Sequence, residues 1–282
     1  MTARPFAEVI GDPIAHSKSP RIHNFWLGRL GIDAEYRAMR VTAAQLCGYF
    51  EARARDPDWR GCNITMPHKI AALAYVNKYR DPSFPVEPIN TAIPIEGRIE
   101  GINTDMNGLM EPLKRLFGGI DPSGRSPELG SRPAAVIGAG GVLHPVMLAL
   151  SALGCAPITV ALRDRSKFAQ VEQDYRGLHV RTMMLGEPLP SVKLLVNASP
   201  LGMTGYPAFP YGIDALADNG IVFDMVYSPI ETKLLSAARA RGLQTVDGLQ
   251  MLVAQAAAAF QGFFGQAAPR QHDAELRETL LA

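Results

Sequence analysis

Apolar and polar positions along the chain fall into short blocks, and the block length decides the element expected. Phe6–Ile10 is an apolar run stopped by Gly11-Asp12-Pro13, which predicts a strand and then a turn. Arg21–Gly31 places Ile22, Phe25, Trp26, Leu27 and Leu30 on one side of a helix, with Gly31 as its stop. A strand over Ala34–Val41, a helix over Ala43–Ala54 and a strand over Gly61–Thr65 follow. Pro67 then marks a helix start that would put Lys69 in its first turn. These alternations predict a small α/β layer structure over about the first 105 residues.

Gly108–Phe117 reads as helical, after which the texture changes. Gly118–Pro133 has no periodicity and is dense in Gly, Pro and Ser, as a loop or boundary would be. Beyond it, strands are expected at Ala134–Ile137, Ile158–Leu162, His179–Leu185, Leu194–Asn197 and Ile221–Asp224. Helices are expected at Val142–Leu153 and Ser166–Tyr175. Strands alternating with helices imply parallel βαβ units. Leu249–Ala282 is helical in composition and contains no strand.

Composition narrows the class. At 282 residues, two domains or one large one are expected. Lys and Arg number 28 against 27 Asp and Glu, so bulk charge gives no reason to expect a nucleic-acid partner. The three cysteines, Cys47, Cys62 and Cys155, are odd in number and far apart, and CxxC and HExxH are both absent. Neither a disulfide framework nor a metal site is therefore expected. The first residues lack the apolar core of a signal peptide and no apolar run approaches ~18 residues, so the expectation is a reduced, cytoplasmic protein without membrane contact.

Candidate chemistry begins at Val136-Ile137-Gly138-Ala139-Gly140-Gly141, which leaves an apolar strand and enters a helix. Glycines there permit a tight bend and let backbone amides approach a pyrophosphate seated on the helix N-terminus. A structural glycine turn and an S-adenosylmethionine site are the alternatives. The next strand ends in Arg163-Asp164-Arg165-Ser166-Lys167. An acidic residue in this region suits the ribose diol of NAD, and cations suit the 2′-phosphate of NADP. Arg163 and Lys167 favour NADP; Asp164 leaves NAD open.

The first 105 residues hold a different inventory. Ser17 and Ser19 share one loop, which fails as a phosphate loop because Ser17 stands where GxxxxGK[ST] needs glycine. Turn-forming and helix-capping serines are the plain alternative. Asn63 and Thr65 share a face of their strand, with Lys69 shortly after. Asn90-Thr91 and Asn103-Thr104-Asp105 are further polar clusters, and Asp105 alone would serve as a helix cap. Amides, hydroxyls, one lysine and one carboxylate suit a polyhydroxylated ligand and proton transfer rather than acyl transfer.

GDPIAHSKSPRIHN, GCNITMPHK, INT, GINTDMNG, VIGAGG, VNASPLGM, FDMVYSPIETKLLSAARARG and DGLQMLVAQA occur in the order seen in shikimate dehydrogenases, so the chain resembles that family over nearly its whole length. The resemblance implies reversible NADPH-dependent reduction of 3-dehydroshikimate to shikimate, in the pathway to aromatic amino acids. By position, Lys69 and Asp105 resemble the catalytic pair. Ser17, Ser19, Thr65, Asn90 and Gln255 resemble the substrate-binding residues, with Tyr227 close by. Gly138, Ala139, Gly140 and Gly141 match the phosphate turn, Arg163 and Lys167 the cations on the 2′-phosphate, and Ser199, Met225 and Gly248 the lining of the adenine and nicotinamide sites. The architecture implied is an N-terminal α/β substrate domain over residues 1–106 and 249–282, and a Rossmann-like doubly wound dinucleotide-binding domain over 107–248. The family includes monomers and homodimers.

Some positions depart from the family pattern. Leu162-Arg163-Asp164 stands in place of Asn-Arg-Thr, Glu87-Pro88 in place of Gly-Ala, and Gln250 at a position near the nicotinamide that is often glycine. Quinate or aminoshikimate is the alternative substrate, although a larger hydroxyl residue than Ser19 would suit quinate better. A non-catalytic nucleotide sensor is the alternative from another class, and would be expected to have lost Lys69 or Asp105.

Overall fold

β1 (Phe6–Gly11) is buried at every position, and accordingly it lies inside its sheet. A computed structural model describes residues 4–77, 87–117 and 128–282. These form two compact units, one of residues 4–77, 87–105 and 252–282, the other of 106–117 and 128–251. The expected boundary at Gly118–Pro133 lies outside the described residues up to 127; 128–133 is turn and irregular chain.

In the first unit, β1 leads to α1 (Ser19–Leu30), β2 (Glu35–Arg40), α2 (Leu46–Arg53) and β3 (Trp59–Ile64). α1 ends on Gly31 at φ 64°, the left-handed conformation that lets a following N–H close the last turn. Its Asn24 side chain pairs with both the N–H and the C=O of Tyr36, which fastens the helix to β2. β4 (Thr91–Ile95) and β5 (Arg98–Ile102) complete the sheet, in the order β2-β1-β3-β4-β5. The first three strands are parallel, and β4 and β5 run antiparallel as a hairpin. Its turn residues Glu96 and Gly97 both take positive φ, as a two-residue hairpin with right-handed twist requires.

The interior of this sheet contains one carboxylate. Glu8 is fully buried in β1 and accepts hydrogen bonds from Arg37 Nε, from Arg53 Nε and Nη2, and from the Tyr49 hydroxyl, all within 3.0 Å. A buried charge survives only when paired in this way.

Asp105 and Met106, where the units divide, open α3 (Asp105–Phe117). The second unit continues with β6 (Ala134–Ile137), α4 (Leu143–Ala152), β7 (Ile158–Leu162), α5 (Phe168–Asp174), β8 (Val180–Met184), β9 (Val192–Asn197), β10 (Leu216–Asp224), α6 (Lys233–Ala240) and β11 (Gln244–Val246). All six strands are parallel, in the order β11-β10-β9-β6-β7-β8. That is the doubly wound order 6-5-4-1-2-3, whose switch point lies beside the first strand, here β6. One apolar core holds Leu109, Leu113, Val136, Met147, Val160, Val196 and Phe223 together.

α7 (Gly248–Phe264) carries the second division between units, and α8 (Asp273–Leu281) closes the chain. The fold class is therefore the one expected, with a mixed five-stranded sheet and a parallel six-stranded one. Among the described residues no helix is long and apolar enough to cross a membrane, and no group of His, Cys, Asp and Glu is arranged to hold a metal.

Candidate active site

The strand directions of the first unit gather its polar residues. β1 and β3 are parallel, so the loops that follow them leave the same end of the sheet. β4 is antiparallel to β3, so Asn90 begins at that end, and β5 returns there with Asn103-Thr104-Asp105. Backbone bonds hold these segments together: Asp12 N to Met66 O, Thr65 N to Ile10 O, Ile64 N to Asn90 O and Asn90 N to Ile102 O.

Lys69 Nζ donates to Asp105 Oδ2 at 2.6 Å, with side chains 17% and 8% exposed. Lys69 does not lie in a helix as its sequence context predicts; it sits in a turn ahead of a short 3-10 helix over Ala71–Tyr75. The reason is a contact from a distant segment: the Lys69 carbonyl accepts from Ile89 N, so it does not start an α-helical ladder. His68 pins the same turn by donating from Nε2 to the Val41 carbonyl at 2.6 Å.

Asp105 does not act as the cap of α3. That role falls to Asn103, whose Oδ1 accepts from Asp105 N at 3.0 Å, leaving the Asp105 carboxylate to face Lys69 and Asn90. Asn90 Nδ2 donates to Asp105 Oδ1 at 2.8 Å and to Thr104 Oγ1 at 3.0 Å, and reaches Gln255 Oε1 at 3.4 Å. The structure thus joins Lys69, Asp105, Asn90 and Gln255 in one hydrogen-bonded group. Ser17, Ser19 and Thr65 border the same sheet end without entering those bonds. Ser19 is buried and its N–H donates to Ser17 Oγ at 3.3 Å, while Thr65 is held through its backbone.

In the second unit, Gly138 follows β6 at φ 106°. A Cβ there would also come within 2.9 Å of Ser199 Cβ and 3.1 Å of Ala198 O, so glycine is required twice over. Gly140 and Gly141 differ: a Cβ at either would meet no protein atom within 4 Å. Beside this turn is a cavity of about 280 Å³ lined by Gly138, Ala139, Gly140, Arg163, Asp164, Lys167 and Ser199, among others. Gly141, Met225 and Gly248 are not in its lining. Gly248 instead packs on backbone, where a Cβ would fall 2.3 Å from Met225 O. Ser199 is fixed by Asn197, to whose Oδ1 it donates from both N and Oγ.

The donor set fits a phosphorylated dinucleotide. Open space before the glycine amides leaves room for a pyrophosphate, and two cations border the cavity beyond the end of β7. Asp164 borders the same cavity and spends one carboxylate oxygen on a local cap. Its Oδ1 accepts from Ser166 N and Oγ, capping the turn over Arg165–Lys167, and those bonds hold its carboxyl below the usual range. Gln250 is likewise turned to a cap: its Oε1 accepts from Asp247 N, and Gln250 N donates to Asp247 Oδ1, a reciprocal box at the start of α7. Tyr227 follows β10 in this unit, and burial pushes its phenol up from the ordinary range.

Sequence reading missed the buried carboxylates Glu8, Asp224 and Asp247. Glu8 sits amid apolar strand residues and no spacing marks it. Asp224 accepts from Asn197 Nδ2, Val226 N and Thr232 Oγ1, which joins the ends of β9 and β10 to the cap of α6. Burial raises its carboxyl despite those bonds.

A doubly wound unit with a dinucleotide-shaped turn, and a partner unit carrying a lysine–carboxylate pair among amides and hydroxyls, define a nicotinamide-dependent dehydrogenase of a polyhydroxylated substrate. The profile of the shikimate dehydrogenase substrate binding domain matches residues 9–92. Shikimate dehydrogenase (NADP(+)) of Sphingopyxis alaskensis is 45% identical over 99% of this chain and 98% of its own, and that of Cereibacter sphaeroides is 37% identical over 100% and 99%. The crystal structure of shikimate 5-dehydrogenase from Thermus thermophilus in complex with NADP(H) and shikimate superposes with a TM-score of 0.81, at 33% identity, covering 98% of this chain and 100% of that one. The chain belongs to the shikimate dehydrogenase family.

Proposed function

We propose that this chain interconverts 3-dehydroshikimate and shikimate with NADP as cofactor, in the cytoplasm, and that the Lys69–Asp105 pair is its proton-transfer centre. The bond of 2.6 Å between two largely buried side chains, held from the far side by Asn90, carries this reading. The domain whose core is the five-stranded sheet binds the substrate, and the six-stranded domain binds the dinucleotide.

The dinucleotide, when bound, supplies or accepts the hydride. Reduction of a ketone leaves charge on oxygen, and the Lys69 ammonium is the donor that neutralises it; in the reverse direction the Lys69 amine takes the hydroxyl proton. Asp105 holds the lysine in place and accepts from a substrate hydroxyl. Asn90 and Gln255 present amide groups to the remaining hydroxyls, and Ser17, Ser19 and Thr65 supply hydroxyls of their own from the neighbouring loops, with Tyr227 as a further contact. Gly138, Ala139, Gly140 and Gly141 hold the pyrophosphate, Arg163 and Lys167 the 2′-phosphate, and Ser199, Met225 and Gly248 line the ring sites. The commitment of Asp164 to Ser166 supports NADP over NAD.

The test is a steady-state assay of shikimate and quinate, each with NADP⁺ and NAD⁺. Shikimate with NADP⁺ is expected to give the highest kcat/KM. Folded protein that reduces neither nicotinamide with either acid would refute a dehydrogenase, and preference for quinate would move the substrate assignment.

A further inference from the structure

We infer that Thr91 is a positioning residue for the Lys69–Asp105 pair, through a one-way hydrogen-bond chain that starts at the Tyr36 hydroxyl. This inference rests on the proton-transfer role proposed for that pair. None of the three upstream members, Tyr36, Asn63 and Thr91, bonds to Lys69 or Asp105 directly.

The direction of the chain is fixed by chemistry at each link. The Tyr36 hydroxyl donates to Asn63 Oδ1 at 2.5 Å, inside a buried site where its side chain stacks on His23 at 3.9 Å between ring centres. With its oxygen so engaged, Asn63 must turn its amide nitrogen the other way, and Nδ2 donates to Thr91 Oγ1 at 3.0 Å. A hydroxyl has one proton, and once Thr91 accepts from Asn63 its own proton goes to Asn90 Oδ1, 3.0 Å away. The same oxygen accepts from Thr104 N at 2.7 Å. Two donors on Asn90 Oδ1 leave Nδ2 as the only group that can face Asp105, which it does at 2.8 Å.

A flipped Asn90 would aim a carbonyl at a carboxylate and release Asp105 Oδ1. Thr104 N resists that flip, the Thr104 hydroxyl at 3.2 Å is shared with Gln255 Oε1 at 3.3 Å, and Thr91 supplies the shorter side-chain donor at 3.0 Å. Thr91 itself is fully buried, so no water takes its place when the hydroxyl is removed. A complete polar chain in a buried interior rigidifies one arrangement.

Three substitutions test the chain. Thr91→Val keeps the shape and removes the hydroxyl; Thr91→Ser keeps the hydroxyl; Tyr36→Phe removes the first donor. Thr91→Val is expected to lower kcat/KM for shikimate by about 10-fold or more, as small misplacements of reacting groups do. KM for NADP⁺ should stay within about twofold of the parent value, and Thr91→Ser should recover most of the loss. Tyr36→Phe should act in the same direction and less strongly, because the Thr91 hydroxyl still donates to Asn90 Oδ1. Rates are normalised to folded protein by circular dichroism. If Thr91→Val lowers the melting temperature but leaves normalised kcat/KM unchanged, or if Thr91→Ser is as impaired as Thr91→Val, the positioning role is wrong. An inactive parent enzyme would instead refute the proposed function, so the two failures are separable.

Discussion

Replacing Lys69 by methionine keeps most of the side chain's stem and removes its charge, which separates packing from chemistry. The structure sets two magnitudes. Coulomb's law at an effective dielectric of ~20 gives about 6 kcal/mol for opposite charges at the observed 2.6 Å, before either group's desolvation is counted. Breaking such a largely buried pair from one side typically destabilises by about 3–5 kcal/mol, because the remaining charge is stranded. Asp105 keeps only the Asn90 amide and its exposure of 8% against that penalty. Loss of the proton donor should lower kcat by about 10²–10⁴-fold, or roughly 3–5 kcal/mol of barrier. The double variant Lys69→Met with Asp105→Asn discriminates the two effects: it removes the stranded charge and should recover much of the stability without any of the turnover. Stability is read by urea titration, and turnover by the absorbance of reduced nicotinamide with shikimate and NADP⁺ at saturation. A Lys69→Met enzyme that turns over within about threefold of the parent would refute the role assigned to the lysine.

Arg163→Ala should raise KM for NADP⁺ by about 10-fold or more and leave KM for NAD⁺ nearly unchanged, since an arginine pairs with a phosphate the second cofactor lacks; equal losses with both would mean Arg163 does not face the 2′-phosphate. His23 is wholly buried with both ring nitrogens unpartnered, and burial lowers it from 6.5 to about 3. The unfolded chain therefore takes up the proton first, so the stability is complete above about pH 6.5 and is lost as pH falls towards 3, at about 1.4 kcal/mol per pH unit. Urea titrations at pH 6.5 and 4.5 should show that slope, and His23→Phe should remove it; an identical slope in the variant would show that other groups cause it. Gly248→Ala should destabilise by more than 1 kcal/mol, roughly the low end for a forced overlap, because its methyl would collide with the Met225 carbonyl; an unchanged melting temperature would contradict that contact.

The second unit was the more legible half. β6 (Ala134–Ile137) is a continuous apolar run ending in glycines, β7 (Ile158–Leu162) is a largely apolar one with a charged end, and such runs announce themselves without any tertiary information. β11 escaped because Gln244–Val246 is three residues long and owes its existence to β10 alongside it. In the first unit the β4–β5 hairpin was not foreseen: its turn is Glu96-Gly97, weaker than Asn-Gly, and Pro94 interrupts the run. The turn at Lys69 was misread as helix because its cause, the Ile89 N–H on the Lys69 carbonyl, comes from twenty residues away. Site residues were legible as an inventory of chemical types and as a resemblance. The bonds that unite them were not, since Asn90 and Gln255 meet only through the fold. Asp164 and Gln250 show the opposite case, where side chains that sequence reading had set beside the cofactor also serve as local caps.

The placement of Glu8 in the middle of β1, with Arg37, Arg53 and Tyr49 around it, has a bearing on how this enzyme could be altered. The framework's demanding polar cluster spans β1, β2 and α2, whereas Ser17, Ser19, Thr65 and Asn90 lie beyond the ends of the strands. Selection for a different hydroxy acid can therefore act on the connections beyond the strands without disturbing the buried carboxylate that the sheet depends on. Mutational libraries confined to the loops after β1 and β3 should keep a high proportion of folded members, and libraries reaching Glu8 or its partners should not. Tolerance to change and chemical responsibility thus coincide at one rim of the sheet, which gives this scaffold room to acquire new substrates.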